Sequence, residues 1–360
     1  MKKRILPVIL VLCCAMILSL AGCGANSERS GSSSEGANGS ITVFNYGEYL
    51  DRSLLAQFES EYGITVNYEE YVSPEDMYTK YTSGAIDYDV IITSEYMIEK
   101  LMEEDELLPI DMSGMENIGN IGDRYWDFCR TFDPDNSYAV PYLWGTLGIL
   151  YNTTMVDEPV DSWNILWSEE YADQIIMENS VRDAFVAPLR LMGCSINTTD
   201  EAELRSAAEM LEAQYPLVYA YQVDETRDTM IAGEAALGMT YSGDATEAID
   251  ANEDLAYAIP AEGSNVWIDC AVIPASAQNV EGAQAFIDFL CGEEAALANF
   301  EFIYYGTPNE AILDDLDEDV LSDPTIFPDE AILDNCEVFR YLGSETDALY
   351  TQLWQEVKSS

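Results

Sequence analysis

From Ile41 to Glu104 the sequence alternates short apolar runs with amphipathic stretches, and few folds accept that order. Ile41 to Asn45 reads as a strand, Leu55, Phe58 and Tyr62 then share one helical face, and Ile64 to Tyr68 reads as a second strand. Ser73-Pro74-Glu75-Asp76 has the form of a helix start, with a hydroxyl to cap free N–H groups, a proline in the first turn and acids at the positive end of the helix. Tyr88 to Ile92 predicts a third strand and Glu95 to Glu104 another helix. Strand-helix-strand repeated in this way makes a parallel α/β sheet flanked by helices. Ligands in such sheets bind beyond the carboxyl ends of the strands.

The residues at those ends share a chemistry. Tyr46-Gly47-Glu48-Tyr49 follows the first strand and Thr93-Ser94-Glu95-Tyr96 the third, so both ends pair aromatic rings with a carboxylate or hydroxyl. Further along, Tyr138 to Asn152 reads as a crossing into a second lobe. Trp163 and Trp167 at helical spacing read as core, and Asp200 with Glu203 as the start of a helix whose face is Leu204, Ala207, Ala208 and Leu211. Ala236 to Tyr241 is strand-like and ends in Tyr241-Ser242-Gly243-Asp244, again a ring beside an acid. Later helices place Ala283, Phe286, Ile287 and Leu290, and then Leu349, Leu353 and Val357, in register.

Ser264 to Pro274 is the most pointed stretch. It reads as a buried strand closed by proline, yet Asp269 stands among hydrocarbon, where an unpaired carboxylate is costly. Strand alternation puts Trp267 and Asp269 on one face. Taken alone, that acid is best explained by an Arg partner or a turn. The recurrence of the same pairing at Tyr46-Glu48 and Tyr241-Asp244 points instead to a cation, stacked on rings and paired with carboxylates.

The N-terminus bounds location. Lys2, Lys3 and Arg4 precede an apolar run from Ile5 to Leu20, too short for a membrane span and typical of a secretory signal. It ends in Leu20-Ala21-Gly22-Cys23, which resembles the bacterial lipobox, so residues 1-22 are expected to be cleaved and Cys23 diacylated; two acyl chains suffice for stable anchoring. Residues 23-40 have the composition of a flexible tether. The charge, 67 Asp and Glu against 15 Lys and Arg, makes nucleic acid and anionic lipid poor partners. With no histidine, Ser-His-Asp and Cys-His mechanisms are excluded, and Cys129, Cys194, Cys270, Cys291 and Cys336 lack the spacing of a zinc site.

Phe44-Asn45-Tyr46-Gly47-Glu48-Tyr49, Pro141-Tyr142-Leu143-Trp144-Gly145, Tyr241-Ser242-Gly243-Asp244, Trp267-Ile268-Asp269 and Tyr305-Gly306-Thr307-Pro308-Asn309, taken together, resemble bacterial spermidine/putrescine-binding proteins, the extracytoplasmic receptors of polyamine ABC importers. The resemblance implies a two-lobed α/β fold of the type II periplasmic-binding-protein kind, with residues 41-144 plus about 271-325 in one lobe and 145-270 plus about 326-360 in the other. It implies a ligand set of Tyr46, Glu48, Tyr49, Ser94, Tyr96, Asp183, Tyr241, Asp244, Trp267 and Asp269, with Arg340 near a position where relatives use a polar amide. Ser180 stands where some spermidine binders place an Asp. A guanidinium in the cleft at Arg340 would repel an ammonium or pair with a site acid, which bears on recognition of a third amine. No cofactor and no metal are implied; the expected partners are putrescine or spermidine and the permease subunits, with the protein a monomer anchored through Cys23 at the outer face of the cell membrane. Two other readings stay open here: a binding protein for another small solute, and a glycan-processing enzyme using a pair such as Glu48 and Asp269.

Overall fold

The structure, a computed structural model, describes residues 39–360. The expected signal, Cys23 and the tether to residue 38 lie outside the described residues. Ser40, placed in the tether by composition, opens the first strand.

The strands are β1 (Ser40–Tyr46), β2 (Thr65–Tyr71), β3 (Val90–Ser94), β4 (Leu107–Leu108), β5 (Val140–Asn152), β6 (Ile175–Glu178), β7 (Val218–Gln222), β8 (Leu237–Tyr241), β9 (Leu255–Ala258) and β10 (Val266–Pro274). They form one sheet in the order β2-β1-β3-β10-β5-β8-β6-β7, with β4 on β10 and β9 on β5. The two ends are parallel: β1 with β2 and β3, as the alternation predicts, and β6 with β7 and β8. The centre is antiparallel. Here β10 runs between β3 and β5, and β5 passes its second half to β8 and β9.

The crossing segment is therefore, from Val140 to Asn152, one long strand shared by two pairings. Its Val140–Thr146 portion pairs with β10 and its Leu147–Asn152 portion with β8 and β9. The apolar side chains divide at the same place. Trp144 belongs to the apolar cluster that holds Phe44, Ile91, Val272 and Phe286, whereas Leu147 belongs to the one that holds Ile175, Met239, Leu211 and Trp354. Each such side chain, fully buried, contributes roughly 1.5–3 kcal/mol of transfer free energy. Val266, Ile268 and Cys270 of β10 belong to the first cluster.

Local signals act as their chemistry dictates. Ser73 accepts from the Asp76 N–H at 3.2 Å at the head of helix Pro74–Thr82, and Asp200 accepts from the Ala202 N–H at 2.7 Å at the head of helix Glu201–Gln214. Leu204, Ala207, Ala208 and Leu211 are the buried face of the latter helix, and Trp163 is fully buried with its Nε1 donating to the Gly263 carbonyl. Among the described residues no helix is long and apolar enough to cross a membrane.

Candidate functional site

The carboxyl ends of β1 and β3, the start of β10 and the carboxyl ends of β6 and β8 converge on one region. β10 runs antiparallel to β3, and its register sets Asp269 opposite Ser94, the last residue of β3. A bulge in the β10–β5 pairing falls between Asp269 and Cys270, where an irregularity can re-aim a side chain. The Tyr49 hydroxyl, brought in by the turn after β1, donates to Asp269 Oδ2 at 2.7 Å. Glu48 in that turn holds a left-handed backbone, φ 53°, and is exposed within electrostatic reach of Asp224 from the opposite side.

Aromatic rings line the region in an edge-to-face series. Tyr46 and Tyr49 lie 5.2 Å apart by ring centroid, Tyr49 and Tyr305 5.8 Å, Tyr305 and Trp267 5.1 Å, and Trp267 and Tyr241 6.3 Å. Two glycines make room for it. A Cβ at Gly145, which pairs with Trp267 across β5–β10, would fall 2.5 Å from the indole, and one at Gly243 would fall 2.1 Å from the Tyr305 ring. A methyl group at either position would displace a ring of the series.

Three carboxylates are set around these rings, each beside a phenol. Tyr49 holds Asp269; the Tyr305 hydroxyl donates to Asp244 Oδ2 at 3.2 Å; and Asp183 accepts from Ser180 Oγ with the Tyr241 hydroxyl beside it. Among the described residues none of the three lies within ion-pair distance of a Lys or Arg. Burial pushes Asp269 up to about 7 against the opposing Tyr49 hydrogen bond. Asp244 is likewise pushed up to about 7, by burial first and by Asp224 next, and burial raises Asp183.

Other buried acids show what a structural role looks like. Asp89 accepts the backbone N–H groups of Thr42, Gln278 and Asn279 at 2.7–2.8 Å, and Asp133 accepts those of Tyr138 and Ala139. Such acids are satisfied by the fold itself. Asp269 has a single phenol.

Several site-facing groups were not singled out from the sequence. Tyr305 joins the series from the loop after helix Glu293–Ile303, and its only sequence signal is the Tyr305-Gly306-Thr307-Pro308-Asn309 motif. Tyr96 donates to Glu75 at 3.0 Å, so an acid that reads as a helix-start residue also faces the region. Glu95 is 1 % exposed; its Oε2 accepts the Ile268 N–H at 3.3 Å, while Oε1 has no partner among the described residues. Trp267 Nε1 and Ser94 Oγ are also buried without a partner there. Polar atoms left in this state are costly unless something outside the chain meets them.

Arg340 stands apart from the carboxylates it was placed beside. Its guanidinium grips Glu99 of helix Glu95–Glu103, with Nε 2.9 Å from Oε2, and the Tyr341 N–H donates to the same carboxylate at 2.8 Å. A bidentate pair of this kind occupies the fork of the guanidinium.

Comparison with known proteins decides the family. The sequence profile described as "Bacterial extracellular solute-binding protein" matches residues 53–328. The chain belongs to this family. It is a solute-binding protein, like its relatives. It is 35 % identical over 326 residues to a "Spermidine/putrescine-binding periplasmic protein" of Salmonella typhimurium, covering 89 % of this chain and 92 % of that one. A "Putrescine-binding periplasmic protein" of Pseudomonas aeruginosa is 28 % identical over 361 residues, covering 96 % and 97 %. The solved structure of the spermidine/putrescine ABC transporter substrate-binding protein of Streptococcus pneumoniae superposes with a TM-score of 0.80 at 39 % identity, covering 89 % of this chain and 98 % of that one. The α/β fold of periplasmic binding proteins expected from the sequence is thus the fold observed.

Proposed function

We propose that this solute-binding protein is an extracytoplasmic receptor that captures a polyamine, putrescine or spermidine, between two lobes and delivers it to the permease subunits of an ABC importer. The observation that carries the reading is the set of three carboxylates, each beside a phenol and none in an ion pair with a Lys or Arg among the described residues, arranged around a series of rings. A diamine at neutral pH is two ammonium groups joined by hydrocarbon. Its ends need charged hydrogen bonds, and its middle needs a surface that costs nothing to dehydrate. Tyr46, Glu48, Tyr49, Ser94, Tyr96, Tyr241, Trp267 and Tyr305 would form the walls, and Asp183, Asp244 and Asp269 the anion pairs. A sugar would not need so many carboxylates. The names of the Salmonella and Streptococcus relatives support the same ligand class.

The lobes are residues 41–144 plus about 271–325 and residues 145–270 plus about 326–360, a division that most of the two largest apolar clusters supports. The packing of Val266 and Ile268 with the first cluster supports moving the return crossing upstream, to about residue 265. Repulsion among the carboxylates favours an open site until a cation bridges them.

Titration calorimetry tests the reading. Putrescine or spermidine should bind at micromolar concentration or tighter, about −8 kcal/mol or better. Absence of heat and of any thermal shift with both amines would sink it, and turnover of oligosaccharides would replace it with an enzyme. Anchoring through Cys23 is a separate part of the proposal. Expressed with its leader, the wild-type chain should sediment with membranes and Cys23→Ser should not; equal membrane fractions would remove the anchor.

A further inference from the structure

One acid in the second half of the chain has no role in the fold that its surroundings explain. Glu178, the last residue of β6, is 0 % exposed, and neither of its carboxylate oxygens has a hydrogen-bond partner among the described residues. Its predecessors Ile175, Ile176 and Met177 fill the core, and a Met or Leu at 178 would continue that packing without the cost of dehydrating a carboxyl group. Asp89 and Asp133 show that this fold surrounds a structural acid with backbone N–H groups; the one backbone N–H near the Glu178 carboxyl, that of Asn179, donates to the Gln222 carbonyl at 2.9 Å instead.

What faces Glu178 is acidic or phenolic. Asp183 reaches it from the turn Val181–Ala184, Asp224 from the segment after β7, Asp244 from helix Ser242–Ala251, and Tyr241 from the end of β8. The cations nearby make their hydrogen bonds and ion pairs elsewhere, although Arg182 and Arg227 act at longer range on Asp183 and Asp244. Arg182 donates to the carbonyls of Arg340 and Ile196 and to Asn197, Arg227 pairs with Glu247 and Asp228, and Lys358 donates to Asn179. The second half of the site therefore holds more acid than the two ammonium groups of a diamine can pair.

We propose that Glu178 determines specificity by the number of ammonium groups: its carboxyl accepts the ammonium that a triamine carries beyond those of a diamine. This rests on the polyamine reading above. With a diamine bound, Glu178 keeps its proton and stays neutral. When a third ammonium arrives, the O–H bond breaks, the proton leaves to solvent, and the carboxylate formed accepts an N–H from the ammonium. Burial, followed by Asp183, Asp244 and Asp224, raises the affinity of Glu178 for its proton, consistent with a group that ionises only beside an added positive charge.

The test is calorimetry of the mature chain with putrescine and with spermidine at pH 7, in two buffers of different ionisation heat, for the wild type, Glu178→Gln and Glu178→Leu. The wild type should release about one more proton with spermidine than with putrescine. Both variants should lose that difference and bind spermidine roughly tenfold or more weakly, while putrescine affinity stays within about threefold. An unchanged spermidine-to-putrescine ratio and proton difference in both variants would overturn the role of Glu178 and leave the polyamine reading intact. Loss of both amines in both variants would also overturn it, by making Glu178 structural. A wild-type protein that binds neither amine would remove the polyamine reading and this inference with it.

Discussion

Asp269→Asn should abolish tight binding while leaving the fold standing. The amide keeps the shape of the side chain and an oxygen to accept the Tyr49 hydroxyl, so the contact at 2.7 Å survives. What disappears is the charge, and a ligand ammonium left buried without its anion costs about 3–5 kcal/mol. Affinity for putrescine should fall by several hundred-fold or more on that scale. The ligand-free variant should melt at or above the wild-type temperature, because the neutral amide avoids the cost of an ionised acid in this position. Calorimetry and a thermal melt read both effects. An affinity within a few-fold of wild type would return Asp269 to a structural role.

Affinity should also fall steeply on acidification, although a polyamine keeps its charge throughout the range. Asp269 and Asp244 are each pushed up to about 7, chiefly by burial, and a bound dication requires them ionised. Protons therefore compete with the ligand below pH 7. Each of the two carboxyls weakens binding by up to about tenfold per pH unit there, and the dependence should flatten above pH 8. Stability of the empty protein runs the other way. A carboxyl whose folded value lies above its unfolded one binds more protons in the folded state between the two values, so stability falls as pH rises from about 4 to 7. Titrations from pH 5.5 to 8.5 with parallel melts check both signs. A flat affinity profile would mean that the pairing charges lie on other groups.

Much of the architecture is legible from local chemistry. The helix Pro74–Thr82 begins where Ser73 and Pro74 say it should, and the helix Glu201–Gln214 buries the four residues that share its face. Tyr46, Tyr241, Trp267 and Asp269 stand out in the sequence because strand ends in an α/β sheet are where a ligand edge is expected, and each carries a ring or an acid out of keeping with a plain core. The partner of Arg340 is not legible in the sequence, for a physical reason. A guanidinium pairs with whatever acid the fold brings near, and Glu99 on the adjoining helix is invisible as a partner until the helix is placed.

By itself, then, the sequence determined the strand-helix alternation, the helix starts and the pairing of rings with acids at strand ends, because these depend on neighbours a few residues away. The tertiary structure decided the rest. It made the crossing segment one strand shared by two pairings, set β10 antiparallel so that Asp269 meets Ser94 and Tyr49, and brought Tyr305 into the ring series beside Gly243. It also separated acids that look alike in sequence. Asp89 is met by three backbone N–H groups, whereas Asp269, Asp244 and Glu178 are buried or half-buried with no ion pair among the described residues. Which acid is satisfied depends on groups far away along the chain, and that information exists only once the strands are paired.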